Sequence, residues 1–195
     1  APTDQFARQG PVWRWLFRHF QAWFNGTPDR PGLIADEDLI LPPDRIAATL
    51  RALQSAGHHL AIATGRTRAE LLPTLTRFEL LDFFDPIVTH DDVAAAEADH
   101  PGTHLSKPHP YQFLRAIFPE AETSTLIAQS DYPQAPDTLI VGDTVGDLAA
   151  AVAIGARPIG VLTGPAGPAA RDTLTAAGAE HCLADVTELP AYLIP

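Results

Sequence analysis

A strand that runs straight into a paired-acid turn and then an alanine-rich helix constrains this chain more than any other stretch. Thr138-Leu139-Ile140-Val141 is β-branched and apolar, the pattern of a strand buried in a parallel sheet. Gly142-Asp143 follows at once, Asp147 comes four residues later, and Leu148-Ala149-Ala150-Ala151 continues as a helix. The spacing places Asp143 at the carboxyl end of the strand and Asp147 in the first turn of the helix. In an open α/β sheet that edge is where ligands bind. Two carboxylates held together there repel unless they share a cation or a proton. An all-oxygen pair suits Mg²⁺, which usually takes substrate phosphate as well. The same residues also fit a plainer role, in which Asp143 ends a strand and Asp147 favours the positive end of a helix dipole.

Elsewhere, apolar runs alternate with helical periodicity. Strands are expected at Leu60–Thr64, Asp85–Thr89, Pro158–Thr163 and His181–Leu183, with helices over Asp44–Ala56, up to Phe78, through Phe118, and over Ala169–Ala177. A terminal helix closes the chain. His90–Thr103 reads as an acidic surface excursion and Glu120–Pro136 as a loop or short helix. This alternation predicts an α/β fold, a Rossmann-like three-layer parallel sheet with helices on both faces. The stretch to Gly10 reads as a loose terminus. Between Pro11 and Phe24, Trp13, Leu16, Phe17, Phe20, Trp23 and Phe24 recur at helical spacing, away from Arg14, Arg18, His19 and Gln21. A helix packed on its own protein, as a lid or remnant of a cap, is favoured over one lying on a membrane surface. The expected division is residues 1–30 as this N-terminal segment and 31–195 as the α/β core, with Thr27–Gly32 as a turn between them.

A net charge of −11 leaves no basic footprint for nucleic acid or anionic membrane. The 195 residues, 46% of them hydrophobic, suffice for one full domain. The only cysteine, Cys182, cannot form an intrachain disulfide and reads as a small core residue. No membrane-length apolar run and no signal peptide is visible, so a cytoplasmic location is expected. The chain begins at Ala1 and contains no methionine, which leads to the expectation that more than an initiator is missing. No P-loop and no Gly-x-Gly-x-x-Gly follows a strand.

Polar clusters sit where strands of such a sheet would end. Thr64-Gly65 follows Leu60–Ala63, Lys107 follows the loop after the next strand, and Asp143 with Asp147 follows the one after that. A hydroxyl, a cation and an acid pair on one rim make a phosphate pocket. Thr64 and the N–H groups after it, Gly65 first, can hold phosphoryl oxygens. Lys107 can neutralise their charge, and Asp143 and Asp147 can hold Mg²⁺. Lys107 is the sole lysine, set between Ser106 and Pro108, which argues against an ordinary surface residue. Arg66 fits a phosphate contact or a surface ion pair equally. For His90, Asp91 and Asp92 a solvated loop is favoured over substrate contact, and for His109 a capping role over a place in the pocket.

Ala61-Ile62-Ala63-Thr64-Gly65-Arg66, then Ser106-Lys107-Pro108, then Val141-Gly142-Asp143-Thr144-Val145-Gly146-Asp147 resembles the second, third and fourth motifs of the haloacid dehalogenase superfamily. The resemblance covers Leu33 to Leu193. Lys107-Pro108-His109-Pro110 and the Gly-Pro loop after the last core strand are most similar to phosphoglycolate-phosphatase-like members. It implies a Mg²⁺-dependent phosphatase acting on a small phosphorylated metabolite through an aspartyl-phosphate, with Lys107, Thr64 and Asp147 as catalytic residues. The family's first motif, Asp-x-Asp-Gly-Thr or Asp-x-Asp-Gly-Val, has only Asp36-Glu37-Asp38 as a counterpart, followed by Leu39-Ile40 and preceded by a short, proline-flanked run. Either Asp36 is the nucleophile, with Asp38 as acid/base, or the first strand lies upstream of Ala1. In the second case a homodimer or a second segment supplies the missing strand, and this is the favoured expectation. Rival readings are a catalytically inactive binding or regulatory partner with this fold, a receiver-type signalling domain, disfavoured because the lysine precedes the acid pair, and halide removal, which does not need the metal and is disfavoured by the intact acid pair.

Overall fold

The computed structural model of the protein describes residues 10–128 and 132–194. The expected loose terminus before Gly10 lies outside them. The chain opens with helix α1 (Pro11–Asn25) and a small antiparallel ribbon, β1 (Gly26–Thr27) and β2 (Arg30–Pro31). Gly26, at φ 86°, caps the end of α1 and opens the ribbon, and its close approach to the backbone of Gly32 and Arg30 leaves no room for a Cβ. Helix α2 (Pro43–Ser55) leads to β3 (Ile62–Ala63), α3 (Arg68–Arg77) and β4 (Ile87–Val88). Then come α4 (His90–Asp99), α5 (Tyr111–Ile117) and α6 (Thr123–Ile127). The focal stretch forms β5 (Leu139–Gly142) and α7 (Val145–Ala153). Last are β6 (Arg157–Val161), α8 (Arg171–Ala176), β7 (His181–Leu183) and α9 (Leu189–Leu193).

All pairings of β3 to β7 are parallel: β3 with β4, and β5 with β6 with β7. Alternation along each strand assigns the two faces. Ile140 and Ala63 pack in one cluster with Leu114 of α5, Ala150 and Ala151 of α7, and Ile154 just after it. Leu139, Val141, Ile159 and Leu183 pack on the other face with Leu53 of α2 and Leu189 of α9. Helices therefore cover both faces, as expected for a Rossmann-like α/β fold. Cys182 is buried as a core residue.

Two segments differ from expectation. His90–Thr103 is largely the helix α4 rather than a surface excursion. Thr89 and Asp92 form a capping box at its start, with the Asp92 carboxylate accepting the Thr89 N–H at 2.7 Å, and Val93 and Ala96 are buried. The run Leu33–Asp36 is a 3₁₀ turn, not a strand. Pro31 and Gly32 precede it, and an exposed Asp36 ends it. Helix α1 is present as expected, but its apolar residues divide. Trp13 and Phe17 stack near the His90 ring, at 6.4 and 5.1 Å between centroids. Trp15, Leu16, Phe20 and Trp23 are about half exposed, and no residue of α1 is buried. Among the described residues no helix is long and apolar enough to cross a membrane.

Candidate functional site

The focal turn is locked by its own residues. Thr144 caps α7 and Asp147 answers it. The Asp147 Oδ2 accepts the Thr144 N–H at 3.1 Å and hydroxyl at 2.6 Å, and Thr144 Oγ1 accepts the Asp147 N–H at 3.3 Å. Gly142 makes room for this box, since a Cβ there would lie 2.3 Å from Asp147 Cβ. The remaining oxygen, Asp147 Oδ1, pairs with Lys107 Nζ at 2.8 Å, with only 7% of the Asp147 side chain exposed. Lys107 also donates to Ala63 O at 2.7 Å and lies 4.7 Å from the Phe113 ring centroid. One ammonium thus joins the end of β3 to the start of α7.

Thr64 continues β3, its N–H donating to Val88 O at 2.9 Å. Its hydroxyl accepts the Arg66 N–H at 3.2 Å. Its carbonyl accepts Gln112 Nε2 at 2.6 Å. Gln112, on α5, is 1% exposed and was not singled out by its sequence context. Gly65, Lys107, Gln112, Ser106 and His90 line a cavity of about 110 Å³. His90 and Ser106 also line a second cavity of about 240 Å³ that reaches Trp13 on α1. Of the expected phosphate contacts, Gly65 and Lys107 line the smaller cavity directly. Asp147 reaches it through Lys107, and Thr64 through Gln112. The turn at Gly164 closes on the Asp143 carboxylate, where a Cβ would lie 2.5 Å from Oδ2.

Arg66, for which two roles were open, is engaged in an ion pair. Its guanidinium grips Glu37 at 2.9 and 3.0 Å and also donates to Glu70 O at 2.7 Å. Burial alone would raise the Glu37 carboxyl. Hydrogen bonds from Arg66 and Thr74, with the charges of Arg66 and Arg77, outweigh it and hold Glu37 below the ordinary glutamate value. Asp91 accepts the Arg68 N–H at 2.7 Å, so both acids after β4 brace helix starts. His109 caps as expected, Nδ1 accepting the Tyr111 N–H at 3.1 Å, which leaves the proton on Nε2, 3.2 Å from Tyr132 Oη. Burial lowers its pKa against the opposing charge of Glu97.

The donor chemistry fits a hard cation in part. Asp143 is partly exposed and its carboxylate lies against the turn at Gly164, whereas both Asp147 oxygens are engaged. Among the described residues no group of three or more His, Cys, Asp or Glu side chains could hold a metal ion. Mg²⁺ needs no such cage, because it binds through one or two carboxylates and fills its shell with water and phosphate.

The haloacid dehalogenase-like hydrolase family model matches residues 7–155. The phosphoglycolate phosphatase of Nitrosospira multiformis is 33% identical over 108 residues, covering 55% of this chain and 38% of that protein. The phosphoglycolate phosphatase of Salmonella typhimurium is 28% identical over 133 residues, covering 68% of this chain and 44% of that protein. The chain thus spans less than half the length of these relatives. An X-ray structure of a structural-genomics target superposes with a TM-score of 0.83 at 30% identity, covering 99% of this chain and 56% of that one. A haloacid dehalogenase family hydrolase of Deinococcus radiodurans R1, solved with bound phosphate and sodium, gives 0.54 at 25% identity over 83% of this chain and 71% of that one. The motif order, the parallel sheet and these matches agree: the chain belongs to the haloacid dehalogenase-like hydrolases and is similar to their phosphoglycolate-phosphatase members.

Proposed function

We propose that the rim formed by Thr64, Gly65, Lys107, Asp143 and Asp147 is the phosphoryl site of a cytoplasmic, Mg²⁺-dependent phosphatase. Its substrate is a small phosphorylated metabolite, hydrolysed through an aspartyl-phosphate. The observation that carries this reading is the Lys107 ammonium, which ties Ala63 O to Asp147 beside a cavity lined by Gly65 and Ser106. That cavity is small and polar enough for a phosphoryl group. The Gly65 N–H orients its oxygens and Lys107 offsets their charge, while Thr64 holds Gln112 at the cavity wall through its carbonyl. Asp147 holds Lys107 in place, and Asp143 with waters would hold Mg²⁺, whose charge stabilises the transferring group. The neighbouring cavity under Trp13 receives the leaving group and limits it to metabolite size.

Asp36 is a poor nucleophile in this arrangement, because it is exposed at the end of a 3₁₀ turn and not at a strand end on the rim. The nucleophile is therefore assigned to a strand outside the described residues. The same position of Asp36 favours, as a second reading, a non-catalytic binding partner that keeps the fold.

Hydrolysis of p-nitrophenyl phosphate with and without Mg²⁺ tests the proposal. The chain carrying an additional N-terminal strand that ends in aspartate is expected to turn over only with Mg²⁺, and Lys107→Met abolishes it. Turnover by the unmodified chain that Asp36→Asn abolishes would overturn the placing of the nucleophile. Phosphate binding without turnover in every form would favour the second reading.

A further inference from the structure

His90 and Ser106 line both cavities, and no other residue is shared between them. With the phosphoryl group in the smaller cavity and the organic remainder in the larger, the atom at their junction is the ester oxygen that joins the two parts. Most polar groups around that junction are already committed to the protein. Lys107 is shared between Ala63 O and Asp147, and the Gln112 amide is tied to Thr64 O. Glu97 Oε1 accepts the Leu105 N–H at 2.7 Å, which fixes the loop that carries Ser106. Among the described residues, neither ring nitrogen of His90 makes a hydrogen bond.

The imidazole is also held in place. The His90 N–H donates to Arg66 O at 2.9 Å, at the start of α4, where Thr89 and Asp92 form their capping box. Trp13 and Phe17 of α1 stack on each other, 4.8 Å apart at 11°. The His90 ring lies against that pair, tilted 44° to Trp13 and 47° to Phe17. A ring packed in this way loses little further freedom when it binds a ligand, so its N–H is a preorganised donor. Beyond His90, α4 presents Ala94 and Ala98 to the larger cavity, four residues apart on one helix face. These small side chains leave space between α4 and the Trp13 indole for an organic group.

We infer that the His90 imidazole donates a hydrogen bond to the ester oxygen of a bound phosphate monoester, and so makes the site selective for esters over analogues that lack this oxygen. That role rests on the phosphoryl site proposed above and adds a ligand contact that Thr64, Gly65, Lys107, Asp143 and Asp147 do not supply. Phe17 is a positioning residue, acting through the His90 ring. Trp13 both orients that ring and walls the larger cavity. Ser106 is the rival donor at the junction.

Binding of a matched pair of ligands to the chain, with Mg²⁺ present, tests this role. Ethyl phosphate and n-propylphosphonate have nearly the same shape, but the second carries a methylene where the first has its ester oxygen. With both as dianions, ethyl phosphate is expected to bind about fivefold tighter, the size of one neutral hydrogen bond. His90→Phe keeps an aromatic ring against Trp13 and Phe17 and removes the donor, so the two ligands should then bind alike, with the phosphonate held as in the parent. Nitrogen-detected NMR of the parent gives a second readout that does not depend on the variant folding: a His90 ring signal should shift with ethyl phosphate and not with the phosphonate. Equal affinities and no such shift in the parent, with both ligands lost in Lys107→Met, would overturn the His90 contact and leave the phosphoryl site standing. Discrimination that survives His90→Phe would assign the donor to Ser106 and also overturn it. Failure of both ligands to bind, or binding indifferent to Lys107→Met, would remove the phosphoryl site and the His90 contact with it.

Discussion

Gly142→Ala is predicted to damage the focal turn far more than its single added carbon suggests. The new Cβ would sit 2.3 Å from Asp147 Cβ and 2.7 Å from its Cγ. The close neighbour is the root of a side chain on a helix, so rotating a flexible tip cannot relieve the clash. Either β5 or the start of α7 has to shift. Forced overpacking costs about 1–3 kcal/mol. Displacing Asp147 also breaks its capping box with Thr144, worth about 1 kcal/mol. It further stretches the 2.8 Å contact with Lys107, which contributes less than a fully buried pair because 23% of the lysine side chain is exposed. Together these give a loss of roughly 2–4 kcal/mol, or about 5–15 °C in Tm for a domain of this size. Gly146→Ala is the control. Its Cβ would meet Lys107 Cβ at 3.4 Å, an ordinary contact, and alanine is the better helix former by about 0.5–1 kcal/mol. Thermal and urea unfolding by circular dichroism should show Gly142→Ala strongly destabilised and Gly146→Ala unchanged or slightly stabilised. Equal Tm values for Gly142→Ala and the parent would refute the tight packing of Asp147 against β5.

Further outcomes follow from other contacts. The stability difference between the parent and Glu37→Gln should depend on pH with a definite sign. Because the folded pKa lies below 4.5, the contribution is present above that value and fades as the pH falls from it through the folded pKa; a difference that grows in acid would contradict the Arg66 ion pair. Nitrogen-detected NMR should find His109 as the Nε2–H tautomer, titrating below 6.5, so its neutral form stabilises the fold above that pH and the benefit declines in acid. An Nδ1–H tautomer would be inconsistent with the Tyr111 contact. Gly164→Ala places a methyl against the Asp143 carboxylate and should lower Mg²⁺-dependent phosphate affinity by about tenfold with a modest change in Tm. Unchanged affinity would remove Asp143 from the site.

The parts of this molecule that were legible in its sequence are those where one residue type leaves few alternatives. An apolar strand meeting Gly142-Asp143 announces its place at a sheet edge, and a lone lysine beside Pro108 stands out from twelve arginines. The α4 helix was hidden by composition. Its alanines and acids bury only Val93 and Ala96, so helical periodicity is faint, and the one local sign was the Thr89-x-x-Asp92 capping box. Gln112 was invisible for another reason, because nothing in a helix sequence marks the side chain that reaches a carbonyl 48 residues away. The two roles weighed for Arg66 were separated only by where Glu37 falls in space, and that depends on a 3₁₀ turn in place of the strand the motif order suggests.

The most direct test of the phosphoryl site is binding of inorganic phosphate to the chain, followed by ³¹P NMR line broadening with and without Mg²⁺. It requires neither a nucleophile nor turnover. The site described predicts saturable binding that needs Mg²⁺, is weakened at least tenfold by Asp143→Asn, and is abolished by Lys107→Met, while Asp36→Asn leaves it unchanged. Binding that ignores Mg²⁺, or that survives Lys107→Met, would contradict the assignment of this rim to phosphoryl chemistry.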